Sequence, residues 1–219
     1  MRRLILLLLL ASLPVFAVDA KDILDQASAE LAQAPWKARL LGTIVGPGGN
    51  PQKANFTVKA LPAEGIVRID FRKPDSLADN YVVITPEKVY NYLFLTNQVI
   101  VYPRTKARIE GLGFDLSRIG DLRDLGQEND ISWEKPETTS LEGQPAWHLS
   151  GRALDPTSAG FARIEVWIGK KPTRLLKTTF YTETGEMLSD LKWRDFARLK
   201  LTKDDLLKFP LDAEWIKKR

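Results

Sequence analysis

Ile66-Val67-Arg68-Ile69-Asp70-Phe71-Arg72-Lys73-Pro74 alternates strictly, with Val67, Ile69 and Phe71 on one side and Arg68, Asp70 and Arg72 on the other. A period of two is the mark of a half-buried β-strand, and Pro74, lacking the N–H that a ladder needs, closes it. Downstream the same rhythm continues through residues 81–85, 88–94 and 98–102. Pro86-Glu87 and Thr96-Asn97 supply the tight turns of a meander. Upstream, Trp36–Val45 and residues 53–61 flank Gly46-Pro47-Gly48-Gly49-Asn50-Pro51, a hairpin connection. Before them Ile23, Leu24, Ala27 and Leu31 recur at helical spacing, with Asp19 or Asp22 as cap and Pro35 as stop.

The rhythm breaks over residues 104–127. Leu112, Leu116, Ile119, Leu122 and Leu125 follow helical spacing opposite Asp115, Arg118, Asp121 and Arg123. Gly111, Gly113, Gly120 and Gly126 punctuate the stretch, and a glycine inside a helix costs about 1 kcal/mol relative to alanine. The pattern predicts an interrupted helix inserted between strands, with an apolar underside. Strands resume at 131–135 and 146–154. Three hairpin-linked strands follow at 161–169, 173–182 and 186–196, then a helical turn at 203–207 and an exit at Phe209-Pro210.

About ten to twelve strands with one helix before them and one inserted midway make a mainly β, α+β domain. Accumulated twist curls such a run into an open antiparallel half-barrel. Tyr90, Tyr92 and Phe94 oppose Val89, Leu93 and Leu95, so some strands are apolar on both faces, as a sheet cradling helices requires. No linker, repeat or low-complexity tract divides residues 21–219, which read as one domain.

Residues 1–20 read as a cleaved secretory signal peptide. Met1-Arg2-Arg3 precedes the apolar run Leu4-Ile5-Leu6-Leu7-Leu8-Leu9-Leu10, Pro14 interrupts it, and Ala17 or Ala20 offers the cleavage site. The run is shorter than the ~20 residues of a permanent anchor. There is no cysteine, so neither a lipid anchor nor a disulfide is expected, and the expected address is the periplasm. The formal charge is +4, two units of which leave with Arg2 and Arg3; the remaining cations are spread out, without the basic stripe of a nucleic-acid binder.

The catalytic vocabulary is thin. His148 is the single histidine, on a strand face opposite Trp147 and Leu149, and reads as a structural or surface residue. No set of residues has the spacing of a zinc or calcium site, and Gly46-Pro47-Gly48-Gly49 lacks the Lys-Ser/Thr of a phosphate loop. No enzyme, metal or cofactor is expected. Six tryptophans (Trp36, Trp133, Trp147, Trp167, Trp193 and Trp215) read first as β-core and second as the lining of a pocket.

The order of elements resembles the outer-membrane lipoprotein-sorting family of the carrier LolA, with its relatives LolB and RseB. The resemblance rests on Trp36-Lys37-Ala38-Arg39-Leu40 after the first helix and on residues 68–74, 81–85, 88–92 and 97–99. The closing Leu207-Lys208-Phe209-Pro210-Leu211-Asp212-Ala213 adds to it. It implies an apolar cavity that receives acyl chains of lipoproteins or similar amphiphiles, under a helical lid. The implied partners are an inner-membrane lipoprotein-releasing transporter and an outer-membrane receptor, with a monomeric carrier and no nucleic acid. The cavity candidates are Val67, Ile69, Phe71, Tyr92, Phe94, Trp167 and Phe180, the inward face of each strand being left open by the alternation. Leu112, Leu116, Ile119 and Leu122 become the lid underside, and Leu77 a residue associated with transfer. The family's latch arginine before the proline falls on Lys73, with Arg72 beside it; lysine lacks arginine's planar fork. The alternative implied function is an RseB-like regulatory module that senses lipoprotein and docks a membrane signalling protein.

Overall fold

Asp19 begins the first helix: it sits in an extended conformation and its carboxylate accepts from the Lys21 N–H, so the cap is Asp19 and not Asp22. In the computed structural model, which describes residues 18–46, 48–104 and 131–218, this helix is α1 (Ala20–Ala32). Its buried stripe is Ala20, Ile23, Leu24, Ala27, Ser28 and Leu31. At the other end the guanidinium of Arg198 donates to the carbonyls of Glu30, Leu31 (3.4 Å) and Ala34 (2.7 Å) and pairs with the Glu30 carboxylate at 3.3 Å. The Gln33 N–H also donates to the Glu30 carbonyl at 3.4 Å, and Arg198 supplies the further donors that the last carbonyls of a helix lack while meeting the negative end of its dipole.

Thirteen strands form one sheet among the described residues. They are β1 (Trp36–Val45), β2 (Pro51–Leu61), β3 (Ile66–Lys73), β4 (Tyr81–Ile84), β5 (Lys88–Leu93) and β6 (Gln98–Pro103), then β7 (Ile131–Trp133), β8 (Glu137–Leu141) and β9 (Gln144–Ala153). A short helix α2 (Pro156–Ala159) leads to β10 (Arg163–Lys170), β11 (Thr173–Tyr181) and β12 (Met187–Arg198), and α3 (Lys203–Leu206) precedes β13 (Glu214–Lys217). The order is β13-β6-β5-β4-β3-β2-β1-β12-β11-β10-β9-β7, with β8 sharing the free edge of β9. Every pairing is antiparallel except β13 with β6.

The sheet stays open, because β13 at one edge and β7 with β8 at the other do not meet. Laid flat, the strands would span roughly 50 Å, whereas α1 is only about 20 Å long. Yet one apolar cluster joins α1 to residues from Val89 on β5 round to Ile131 on β7. A curled half-barrel with α1 on its inner face satisfies both facts. Asp195, at a φ of 52°, makes the bulge in β12 that turns both Trp193 and Phe196 toward Trp36, with ring centroids 6.1 and 5.8 Å away.

A second, smaller core lies on the opposite face. Tyr81, Val83, Tyr92, Val99 and Val101 are covered there by Leu206, Phe209 and Ala213 of the C-terminal segment. Arg68 fastens that segment: it donates to the carbonyls of Leu206 (3.2 Å) and Lys208 (3.0 Å), lies 3.7 Å over the Tyr81 ring and pairs with Asp70 at 2.8 Å. Burial pushes the Tyr81 phenol up, partly offset by Arg68. Two strands were not expected from the sequence. β8 is a Thr/Ser edge without apolar alternation, and β13 is four residues joined to β6 in parallel. The expected inserted helix, with its lid residues Leu112, Leu116, Ile119 and Leu122, lies outside the described residues.

Candidate functional site

The register defines the inner face row by row. One row crosses from Asn91 through Val82, Ile69 and Val58 to Ala38. The next runs Phe71, Phe56, Leu40, Trp193. A third runs Ala54, Gly42, Leu191, Thr178, Val166, Leu149, and a fourth Ile44, Ser189, Phe180, Ile164, Gly151, Trp133. Gly42 permits the close coiling at the centre, since a Cβ there would stand 1.8 Å from the Asp190 carbonyl oxygen.

The cavity candidates divide on this geometry. Val67, Ile69, Phe71 and Phe180 share the inner face, with Phe71 edge-on to Phe56 at 5.1 Å and Phe180 edge-on to Phe161 at 5.0 Å. Tyr92 and Trp167 lie on the opposite face, and Phe94 falls just past β5 in a turn, so the structure does not bring these three together with the other four. The apolar character of Tyr92 belongs to the second core. Trp167 stacks on His148 at 4.5 Å, with the Lys177 ammonium 4.7 Å from its ring.

What the sequence did not reveal is a set of stranded polar atoms on the inner face. Among the described residues, Thr178 Oγ1, Ser189 Oγ and Trp193 Nε1 are buried without a hydrogen-bond partner. Ser189, Leu191 and Trp193 point the same way along β12, and Thr178 is paired across from Leu191. The three groups therefore border one patch, roughly 13 Å end to end at the strand's rise of about 3.3 Å per residue. Leaving a buried hydroxyl unpaired costs about 1–3 kcal/mol, which a ligand able to accept a hydrogen bond would recover. The signal was present as Thr178 and Ser189 on apolar strands, but only the register puts them together.

Lys73, at the position of the family's latch, pairs with Asp75 of its own loop at 2.5 Å, and Arg72 stands 3.9 Å from Asp79. Leu77 is buried in the main core. Lys73 and Asp75 help line an open cleft of about 520 Å³ with Gln52, Lys53, Pro74 and Ser76. His148 sits on the outer face as its alternation predicts. Its Nδ1 is 3.7 Å from Glu137 and its Nε2 3.9 Å from Glu165, too far for hydrogen bonds. Glu165 instead accepts from Arg163 (2.7 Å) and the Tyr181 hydroxyl (3.2 Å). Burial first, then Glu165, pushes the Tyr181 phenol up.

No protein-family model matches the chain, and no curated protein matches it. Solved structures do. An uncharacterized conserved protein from Thermus thermophilus is 32% identical, covering 91% of this chain and 99% of its own, with a TM-score of 0.69. A domain from Vibrio parahaemolyticus assigned to outer membrane lipoprotein sorting is 16% identical over 85% of this chain and 95% of its own, at a TM-score of 0.50. The Pseudomonas aeruginosa MucA/MucB complex contributes a match of 15% identity over 90% of this chain, at 0.51, and there the chain spans 63% of its counterpart. These likenesses show a LolA/LolB-like fold, as the sequence resemblance implies. No helix among the described residues is long and apolar enough to cross a membrane.

Proposed function

Since the chain belongs to the family of the Thermus thermophilus protein and carries the LolA/LolB-like fold, we propose that it is a periplasmic carrier whose inner face binds the acyl chains of lipoproteins or similar amphiphiles. The observation that carries this reading is the inner face itself. It joins continuous apolar rows to three buried polar atoms without hydrogen-bond partners among the described residues. Acyl chains lie along the rows of Phe56, Phe71 and Phe180. An ester or amide carbonyl of the acylated cargo accepts from Thr178, Ser189 or Trp193. An acyl chain costs about 0.8 kcal/mol per CH₂ in water, so a multiply acylated protein needs such a shield to leave a membrane.

Export with removal of the leader delivers the chain to the compartment where this cargo travels. A membrane transporter would load it and an outer-membrane receptor would unload it. The role asks for binding and release and for no catalytic residue. The likeness to MucB, solved with MucA, favours a second reading, in which the same fold docks a membrane signalling protein. Native mass spectrometry of the processed chain with a triacylated lipoprotein separates the two. A stoichiometric complex lost on deacylation of the cargo supports the carrier, and no complex together with no co-purified lipid refutes it.

A further inference from the structure

The four most exposed large apolar side chains among the described residues sit on connections at one end of the sheet: Leu211 at 105%, Leu95 at 91%, Leu154 at 61% and Phe94 at 52%. The register carries this end from Leu93 on β5 through Lys73, Val45, Met187 and Arg163 to Ala153 on β9. Leu95 and Leu211 belong to neighbouring turns. The Glu214 N–H donates to the Asn97 carbonyl at 2.9 Å, and Asn97 Nδ2 donates to the Asp212 carbonyl at 3.2 Å. Leucines this exposed take almost no part in the packing of their own chain.

At the base of the Leu95 turn the polar groups of Asn97 and the Phe94 N–H are occupied. Asn97 Oδ1 accepts from the Tyr92 hydroxyl at 3.1 Å, the Asn97 N–H donates to the Phe94 carbonyl at 3.2 Å, and the Phe94 N–H donates to Asn80 Oδ1 at 2.8 Å. Residues 94–98 carry no charge. The uncharged tip at Leu95 can therefore enter a low-dielectric medium while the amide groups at its base keep their partners. Of the charges on the neighbouring turn, the Glu214 carboxylate accepts from Gln98 Nε2 at 2.8 Å, and Asp212 stands beside Leu211.

We propose that this end docks on the surface of a lipid bilayer, with Leu95 and Leu211 inserted at the head-group boundary and Phe94 and Trp215 flanking them as interfacial aromatics. The apolar groups are protruding tips and not a groove, which suits a deformable lipid surface better than a folded partner. The charges at this end are of both signs, Arg72 and Lys73 standing by Asp79 and Asp75, and Asp212 beside Leu211. The attraction is therefore carried by the apolar tips, and neutral lipid suffices. This docking does not depend on the inner face binding any cargo.

Flotation of the processed chain with phosphatidylcholine vesicles, at about 0.15 M and about 1 M salt, tests the proposal. The chain is expected to float at both salts. Leu95→Asp and Leu211→Asp should each lower the bound fraction by about tenfold, and the pair should abolish binding. Thermal unfolding of all variants should match the parent, because these side chains pack on nothing. A parent chain left in solution overturns the proposal, as does a double variant that floats like the parent. Binding that demands anionic lipid and vanishes at high salt also overturns it, and so does capture of a protein partner, lost in the variants, by a chain that ignores vesicles.

Discussion

Replacing Thr178 by valine should make this protein more stable and a poorer binder at once. Thr178 is 2% exposed and its hydroxyl has no partner among the described residues. Both residues are β-branched, so strand propensity and volume hardly change. The exchange removes an unpaired hydroxyl whose burial costs about 1–3 kcal/mol and adds a buried methyl. A gain of about 1–2 kcal/mol is expected, which is roughly 2–8 °C in Tm for a chain of this size. Urea unfolding reads the first effect. Titration of an acylated peptide reads the second, where loss of one hydrogen bond of about 1 kcal/mol weakens binding roughly fivefold. Ser189→Ala should act in the same direction with a smaller gain, because it leaves a small void. A Thr178→Val chain destabilised by about 1 kcal/mol or more would refute the reasoning, since the hydroxyl would then already be satisfied.

Three other outcomes follow from the same geometry. Arg198→Met strips the last carbonyls of α1 of their side-chain donor and should cost about 2 kcal/mol in urea unfolding, with Arg198→Lys recovering the dipole term but not the fork. A chain begun at Lys21 loses the Asp19 cap and the buried Ala20 and puts an ammonium at the positive end of the helix. It should unfold about 1–2 kcal/mol more easily than one begun at Val18. Hydrogen bonds from Arg194 and Lys192 hold the Glu142 carboxyl down to about 2 from an ordinary 4.5. Its folded pKa is depressed, so the stability difference between the parent and Glu142→Gln should be full above pH 4.5, fade as pH falls toward 2, and shrink with salt.

The strands that alternate cleanly were legible. Ile66–Lys73, Trp36–Val45 and the three closing hairpin strands stand within a few residues of where the period of two puts them, and Ile23, Leu24, Ala27 and Leu31 are the buried stripe of α1 as the helical spacing predicts. β8 was hidden because Thr138, Thr139 and Ser140 carry no apolar signal; its pairing with β9 is a tertiary event. β13 was hidden because Trp215 and Ile216 make a run too short to read, stabilised by a parallel partner more than a hundred residues away in sequence. The site was half legible. Val67, Ile69 and Phe71 were correctly grouped by alternation, but an apolar residue does not say which of two cores it serves. Tyr92 serves the core under the C-terminal segment, which only the long-range bonds from Arg68 reveal. Thr178, Ser189 and Trp193 could be placed together only by the cross-strand register.

The measurement that bears most directly on the carrier role is photo-crosslinking with a lipoprotein whose acyl chain carries a diazirine, followed by peptide mapping. The carrier role predicts that the label falls on inner-face positions of β1, β2, β3, β11 and β12, around Phe56, Phe71, Phe180 and Trp193. Label confined to the outer face near Trp167 or Tyr92, or no label above that of the unirradiated mixture, would contradict it.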